Sequence, residues 1–145
     1  MNAKIRPATA EDLKAIMALF HHLSPNYADN PDAIKKSLAH PATEIFVLEE
    51  DSPGAGRQVV GTATVSYRAV PSAGQAAYLD DMVVDPAKRG LGYGELLCKY
   101  CIEAAQRRDC LRIELTTHAD RVAANKLYQK MGFKLRETNC YVLKF

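Results

Sequence analysis

A glycine-rich turn between a strand-like segment and a helix-like segment constrains this chain more than any other feature. Residues Tyr78–Val84 favour a strand, and Pro86 ends it because proline cannot donate to a β-ladder. The turn Arg89–Gly94 reads Arg-Gly-Leu-Gly-Tyr-Gly and opens onto an apolar run with helical spacing. Free N–H groups at a helix start, together with close backbone approach at glycine, predict an anion site of the kind that binds phosphate.

Two common phosphate-binding turns do not fit these residues. A P-loop ends in Gly-Lys-Ser/Thr, whereas Gly94 is followed here by Glu95 and Leu96. A dinucleotide-binding turn requires G-x-G-x-x-G, whereas these glycines lie at alternate positions, Gly90, Gly92 and Gly94. The pattern Arg-Gly-x-Gly-x-Gly therefore remains, and an ordinary glycine-rich turn is the alternative interpretation of it.

Length and charge narrow the classes of protein to consider. The 145 residues suffice for a single domain with a hydrophobic core, which we assign to residues 1–145. A net charge of +2 produces no strong field for nucleic acid, and no apolar run is long enough to span a bilayer. No signal-peptide core precedes Ile5, so we expect a cytoplasmic protein with no nucleic-acid or membrane partner.

Cysteine usage gives no sign of a metal or disulfide framework. The only close pair, Cys98 and Cys101, lies inside a predicted helix and lacks the second ligand pair that zinc requires. We expect no metal site. We also expect reduced thiols, mostly in the core, at all four cysteines: Cys98, Cys101, Cys110 and Cys140.

Periodicity predicts an α+β fold with the element order β-α-α-β-β-β-α-β-α-β-β. Helices are expected after Thr9, from Pro31, after Gly92 and after Asp120. Strands are expected at Lys4–Ala8, Glu44–Glu50, Val59–Val70, Tyr78–Val84, Leu111–Thr117, Phe133–Arg136 and Cys140–Phe145. The result is a mixed, mostly antiparallel central sheet of six to seven strands with helices on both faces, in which Leu111–Thr117 runs parallel to its neighbour across a helix.

Two segments carry a resemblance to a known family. The turn Arg89–Gly94 resembles the pyrophosphate-binding segment of the GNAT superfamily of acetyl-CoA-dependent N-acetyltransferases. Residues Ala123–Phe133 resemble the family's A-x-x-L/F-Y-x-x-x-G-F pattern, in the family's order and spacing. The predicted element order is also that of the GNAT fold. One departure is Arg121, where many members have Asn, and Asn125 one turn later is the alternative cofactor contact.

The resemblance implies acetyl-CoA as the cofactor, CoA as a product and no metal. The pyrophosphate would bind the backbone of the glycine turn, and the thioester arm would pair with the strand before it. That strand is expected to splay from Leu111–Thr117, which would leave polar backbone groups for the arm. The implied cofactor-binding residues are Met82, Val83, Val84, Arg89, Gly90, Leu91, Gly92, Tyr93, Gly94, Glu95, Asn125 and Tyr128.

Three residues are candidates for the chemistry. Tyr128 stands at the family's acid position and would protonate the leaving thiolate, the alternative being a core tyrosine. Asp80 and Asp81 are neighbouring carboxylates in an apolar strand, where an unpaired buried charge is costly. Many family members have Glu-Asp here, with the first acid acting as a base through water. Strand alternation would place the two on opposite faces, so we expect no shared proton, and purely structural acids are the alternative.

The predicted function is transfer of an acetyl group from acetyl-CoA to a primary amine by direct attack. The paired acids favour a small cationic acceptor molecule. Acetylation of a protein N-terminus or lysine is one alternative, and a non-catalytic acyl-CoA-binding regulatory module is another. The loops Ser24–Asn30 and Pro71–Gln75 are expected to shape the acceptor pocket, and a homodimer is left open.

Overall fold

The computed structural model describes residues 2–145, which form five strands and four helices. In chain order these are β1 (Ala3–Pro7), α1 (Leu13–Leu23), α2 (Pro31–Ala39), β2 (Thr43–Ser52), β3 (Gly56–Val70), β4 (Gly74–Val84), α3 (Tyr93–Arg107), β5 (Arg112–Glu114) and α4 (Val122–Lys130). Short 3-10 turns at Ala10–Asp12 and Pro86–Lys88 precede α1 and follow β4.

One mixed sheet with the strand order β1-β2-β3-β4-β5 organises the molecule. Its first four strands pair antiparallel, whereas β5 pairs parallel to β4 from Ala76↔Arg112 to Tyr78↔Glu114. The parallel pair follows from the connection, because α3 carries the chain back along the sheet before β5 begins. The predicted α+β fold with a mostly antiparallel mixed sheet is confirmed.

Helices cover both faces of this sheet, as the alternation of side chains along β2 shows. Phe46 and Leu48 point into the core shared with α3 and α4. Ile45 and Val47 point into the core shared with α1 and α2. Successive strand residues face opposite sides, so one apolar strand contributes to both cores.

Local capping signals place two of the helix starts where the sequence predicts them. Thr9 and Asp12 form the predicted capping box ahead of α1. The Asn30 side chain accepts a backbone N–H in the first turn of α2 at 3.1 Å. The start of α4 differs, because Arg121 rather than Asp120 occupies the N-cap position.

The two predicted closing strands, Phe133–Arg136 and Cys140–Phe145, are absent from the structure. A strand exists only where a neighbouring edge pairs with it, and no backbone hydrogen bond donated from residues 134–145 occurs within the described part of the chain. The strand predicted over Leu111–Thr117 is also shortened to the three residues of β5. The sheet therefore has five strands rather than six to seven.

Candidate active site

A cavity of about 370 Å³ opens where β4 and β5 part. The last paired residues are Tyr78 and Glu114, after which β4 continues to Val84 without β5 beside it. The Tyr78 hydroxyl forms a hydrogen bond with Thr116 Oγ1 at 3.0 Å, and Thr116 lines the cavity. The predicted arm-binding residues Met82–Val84 lie on this stretch of β4, so the expected splay between the two strands is present.

A β-bulge in β4 brings both carboxylates to this cavity. Thr62 pairs with Val83 but Thr64 pairs with Asp80, so β4 carries one extra residue at this point. Asp81 accommodates it with a φ of 51°, a left-handed conformation that is uncommon outside glycine. Asp80 and Asp81 consequently both line the cavity. The expectation that alternation would separate them is wrong, because a bulge interrupts the alternation.

The environment of these carboxylates makes them stronger bases than ordinary aspartates. Both side chains reach the solvent of the cavity, yet the cavity walls withdraw part of their hydration, and this desolvation raises the pKa of each. The charge of Asp81 raises the pKa of Asp80 further. No ion pair to either carboxylate occurs among residues 2–145.

Tyr128 of α4 borders the same cavity and combines a packed ring with a free hydroxyl. Only 7% of the residue is exposed, and its ring meets Phe133 edge-to-face at 5.8 Å between centroids. None of the side-chain hydrogen bonds within residues 2–145 involves its hydroxyl. Burial raises the pKa of Tyr128, and the charge of Arg121 offsets part of this rise. The phenol therefore stays protonated at neutral pH and is a hydrogen-bond donor at the cavity.

The glycine turn has the backbone geometry of an anion site. Gly90 and Gly92 have φ of 79° and 78°, and a Cβ on either would meet nothing within 4 Å. Leu91 between them is exposed. The first helical hydrogen bond of α3 runs from the Leu96 N–H to the Gly92 carbonyl, so the three N–H groups before it, at positions 93–95, lack a helical acceptor. Open space above alternating backbone conformations, next to a helix start, fits a pyrophosphate.

Three side chains around the turn differ in their partners: Arg89 has no carboxylate partner among the described residues, whereas Lys88 and Tyr93 both bind Glu50. Arg89 is exposed, and no salt bridge within the described residues involves it. Lys88 Nζ instead lies 2.5 Å from Glu50 Oε2, and the Tyr93 hydroxyl donates to Glu50 Oε1 at 2.7 Å. Tyr93 is 2% exposed, so its side chain anchors α3 to β2 and only its backbone remains for a ligand.

Three other predicted cofactor residues make contacts of their own. A Cβ on Gly94 would come within 3.3 Å of Leu127, so this glycine allows α3 and α4 to approach closely. The Glu95 carboxylate pairs with Lys130 Nζ at 2.6 Å. Asn125 Nδ2 donates to the backbone carbonyls of His118 and Arg121, both before α4, at 3.0 and 2.8 Å. A cofactor contact by Asn125 stays a prediction, to be made by its remaining oxygen.

The cavity also has polar walls formed by residues that the sequence did not assign to the site. Thr117, His118 and Arg121 line it, and the Thr117 hydroxyl is buried without a partner. Their position in the sequence could have identified them. They follow a strand that runs parallel to β4, and the carboxyl ends of parallel strands share one edge of a sheet. Ser24 contributes from the end of α1 as predicted, but the loop 71–75 lies at the start of β4, away from Asp80. The expectation for that second loop is wrong.

The four cysteines differ in burial, and none forms a disulfide within residues 2–145. All four cysteines are free, with two buried, Cys110 half-buried and Cys140 exposed. Burial raises the pKa of Cys98 to about 11 and that of Cys101 to about 12, which keeps both thiols protonated. No group of three or more metal-ligating side chains occurs in this part of the chain, and none of its helices could cross a membrane.

Comparison with known proteins gives concordant matches. Residues 10–133 match the acetyltransferase (GNAT) family. A rice (Oryza sativa subsp. japonica) protein, glucosamine 6-phosphate N-acetyltransferase 1, is 27% identical over 135 residues, which is 90% of this chain and 80% of that protein. A putative acetyltransferase from Agrobacterium tumefaciens str. C58 superposes with a TM-score of 0.83 at 26% identity, over 97% of this chain and 99% of that one.

A second solved structure is also similar. It is a predicted acetyltransferase with acetyl-CoA from Clostridium acetobutylicum, with a TM-score of 0.79 at 19% identity. The superposition covers 97% of this chain and 96% of that one. At this level of identity the likeness shows a shared fold.

Proposed function

This chain belongs to the GNAT family of acetyltransferases, and from that premise we propose that it transfers the acetyl group of acetyl-CoA to the primary amine of a small cationic molecule. One observation carries the proposal. Two unpaired carboxylates at the bulge in β4, Asp80 and Asp81, line one cavity together with Tyr128 of α4. Direct attack by the amine is favoured because the buried cysteines, Cys98 and Cys101, are protonated and do not line the cavity.

The cofactor would be held at two places. Arg89 and the N–H groups at positions 93–95 would bind the pyrophosphate through charge and the helix dipole. The open edge of β4 at Met82–Val84 would accept the amides of the arm as an added strand does. Acetyl-CoA would supply an acetyl group that is already activated as a thioester.

The two carboxylates would receive the amine and its proton. An alkylammonium has a pKa of about 10 and an ordinary aspartate one near 3.9, a gap of about 6 units or roughly 8 kcal/mol. The raised pKa values of Asp80 and Asp81 narrow this gap, and their negative charge attracts an ammonium into the cavity. The short aspartate side chains favour a water molecule as the relay between the amine and Asp80.

Tyr128 would act at the leaving sulfur. A thiol has a pKa of about 8.5 and a free tyrosine one of about 10, so complete proton transfer from a tyrosine whose pKa is raised is uphill. The role that fits this residue is a hydrogen bond from its Oη to the developing thiolate. That bond strengthens as negative charge builds on sulfur and therefore lowers the barrier.

The cavity also suggests which amine to test first. Arg121 lines it together with the two aspartates, so an acceptor carrying both an ammonium and an anionic group would find a partner for each. The rice relative is named for glucosamine 6-phosphate, which has both groups. This molecule should therefore be compared with glucosamine, which lacks the phosphate.

An amine panel tests the proposal. CoA release would be followed with glucosamine 6-phosphate, glucosamine, a linear polyamine and a lysine-containing peptide, with mass spectrometry of each product. We expect acetylation of a small amine. Acetylation of the peptide alone would favour the protein-acceptor alternative and overturn the small-molecule claim.

A binding measurement separates the cofactor from the acceptor. At 100 times its dissociation constant, acetyl-CoA should stabilise the fold by about 2.7 kcal/mol. A thermal shift without turnover on the panel would support acetyl-CoA as the cofactor and exclude the tested amines as acceptors. The absence of any shift with saturating acetyl-CoA or CoA would reject the cofactor itself.

A further inference from the structure

Both ends of the glycine turn contact one side chain, the carboxylate of Glu50 on β2. Before the turn, Lys88 Nζ lies 2.5 Å from Glu50 Oε2. After the turn, the Tyr93 hydroxyl donates to Glu50 Oε1 at 2.7 Å. The contact with Lys88, followed by that with Tyr93, holds the pKa of Glu50 below its usual value, so the carboxylate is charged at neutral pH. One anion therefore joins the residue before the turn to the residue after it.

Between these two ends the turn has few constraints of its own. Residues 90–92 donate no backbone hydrogen bond within the described part of the chain. A Cβ on Gly90 or Gly92 would meet nothing within 4 Å, so no neighbouring group packs against either position. Both glycines have positive φ, which glycine adopts about as readily as negative φ. The contacts at the two ends are therefore the interactions that hold the backbone of the turn in one shape.

Glu50 itself is held firmly by the sheet. It lies in β2, between β1 and β3, and its partners in the register are Ala3 and Gln58. Its side chain is only 16% exposed, and its contact with Tyr93 places it on the face that α3 covers. A side chain on a strand with a neighbour on each side supports a site more rigidly than one on a loop does.

We propose that Glu50 is a positioning residue for the cofactor: by binding both ends of the turn, it holds the backbone at positions 90–95 in the arrangement that receives the pyrophosphate of acetyl-CoA. The inference rests on the proposed binding of acetyl-CoA at this turn. Glu50 acts through Lys88 and Tyr93 and does not touch the cofactor. Its effect is preorganisation, which raises affinity because the turn is ordered before the ligand binds.

Charge alone predicts the opposite effect of Glu50. A carboxylate near a pyrophosphate repels it, and a carboxylate paired with Lys88 neutralises a nearby cation. If charge dominated, Glu50→Gln would strengthen the binding of acetyl-CoA. If position dominates, the same substitution weakens binding, because the amide has one acceptor oxygen for the two donors, Lys88 and Tyr93. The sign of the change in affinity therefore distinguishes the two effects.

Calorimetric titration of Glu50→Gln with acetyl-CoA tests the proposal, and Glu49→Gln is the matched control. Glu49 is the neighbouring residue on β2, with a side chain 12% exposed, and it pairs with Arg6 and Arg57 rather than with the turn. If the released turn adopts the binding conformation about a tenth of the time, the Kd of Glu50→Gln for acetyl-CoA rises about tenfold. Glu49→Gln should keep the wild-type Kd.

Kinetics and a second substitution separate positioning from a loss of stability. In Glu50→Gln the KM for acetyl-CoA should rise while kcat stays close to that of the wild type, because Asp80 and Tyr128 are unchanged. Lys88→Met should weaken binding in the wild type and add little in Glu50→Gln, because the lysine acts through Glu50. An equal effect of Lys88→Met in both backgrounds would show that Lys88 meets the phosphates directly, and would contradict the proposal.

Two further measurements cover the case in which Glu50→Gln fails to fold. Tyr93→Phe keeps the buried ring and frees one end of the turn, so it should also weaken acetyl-CoA binding. In either variant the Leu96 N–H, which donates to the Gly92 carbonyl, should exchange its hydrogen faster than in the wild type, while the amides of β2 and β3 stay protected.

The wild type distinguishes failure of this inference from failure of the proposed function. If the wild type binds acetyl-CoA and folded Glu50→Gln and Tyr93→Phe bind it equally well or more tightly, the role of Glu50 is overturned and the cofactor stands. If the wild type binds neither acetyl-CoA nor CoA, the cofactor is rejected and the role of Glu50 with it.

Discussion

The charged groups of the candidate active-site cavity and those at the β1–α1 corner are arranged in opposite ways. At the corner, Arg6 donates to Asp12 Oδ2 at 2.7 Å and to Glu49 Oε1 at 2.6 Å. The hydrogen bond from Arg6 holds the pKa of Asp12 below its usual value. In the cavity, Asp80 and Asp81 have no cation beside them within the described residues, and desolvation raises the pKa of both. Paired acids stabilise a fold, whereas unpaired acids cost stability and are available for chemistry.

Two buried tyrosines show the same contrast without a difference in burial. Tyr67 is 6% exposed and Tyr128 is 7% exposed. The Tyr67 hydroxyl donates to Glu44 at 2.5 Å, and the Arg108 guanidinium lies 4.3 Å from the centre of its ring. The Tyr128 hydroxyl has no such partner and borders the cavity. Burial alone therefore does not distinguish a structural tyrosine from a catalytic one, but the partner of its hydroxyl does.

The largest expected effect is that of Tyr128→Phe. Removing the hydroxyl keeps the ring packing against Phe133 and removes the donor to the leaving sulfur, so kcat should fall by about 10²–10⁴ with the KM for acetyl-CoA little changed. The melting temperature should stay close to that of the wild type, because no described protein group loses a hydrogen bond. Steady-state kinetics and thermal unfolding of one preparation measure both quantities.

Tyr67→Phe is the control for this substitution. It removes a hydrogen bond to a carboxylate, so it should lower the free energy of unfolding by about 1.5–3 kcal/mol and leave kcat unchanged. Wild-type turnover in Tyr128→Phe would exclude a role for its hydroxyl at the leaving sulfur and make the two tyrosines equivalent.

The next effect is expected for Asp80→Asn and for Asp81→Asn. Each should lower kcat by about 10²-fold, at the lower end of the range for a positioned base, because either amide reduces the negative charge that receives the amine. Stability at neutral pH should be unchanged or higher, since a desolvated charge is removed. Asp12→Asn should do the reverse, with kcat retained and about 1–3 kcal/mol of stability lost. Equal loss of stability in all three variants would contradict the comparison.

The two regions should also respond to pH with opposite signs. The pKa of Asp12 is lowered by folding, so its contribution to stability is present above the unfolded value, near 3.9, and is lost as the pH falls through the folded value. The pKa values of Asp80 and Asp81 are raised, so their ionisation opposes folding as the pH rises through the folded values. Activity should be lost on acidification at a pH above 3.9, which a pH profile of kcat/KM measures, and Asp12→Asn should leave that profile in place.

The smallest effect is expected for Gly92→Ala, with Gly54→Ala as its control. Both glycines have positive φ, 78° and 81°, and at both a Cβ meets nothing within 4 Å. Each substitution should therefore cost roughly 1–2 kcal/mol of backbone strain. Only Gly92→Ala should weaken acetyl-CoA binding, by about tenfold or 1.4 kcal/mol, because its Cβ enters the space above the turn. If calorimetry gave Gly92→Ala and Gly54→Ala the same affinity for acetyl-CoA, a phosphate site at the glycine turn would be contradicted.

Short-range interactions account for the features that the sequence analysis predicted correctly. The capping box at Thr9, the N-cap at Asn30 and the glycine turn at Arg89–Gly94 each depend on residues a few positions apart. The alternation along β2 and the stripe on α1 depend only on the period of the element. These signals sufficed for the α+β fold, for the order of elements as far as α4, and for the family.

Pairing between strands that are distant in the chain determined the features that the sequence did not predict, namely the bulge in β4 and the absence of the closing strands. The bulge that brings Asp81 beside Asp80 arises from the register between β4 and β3, and a register joins residues that are distant in the chain. The closing strands had the composition of strands, but residues 134–145 donate no backbone hydrogen bond to another segment of the described chain. Composition states what a segment favours, whereas a strand forms only where another strand supplies the hydrogen bonds.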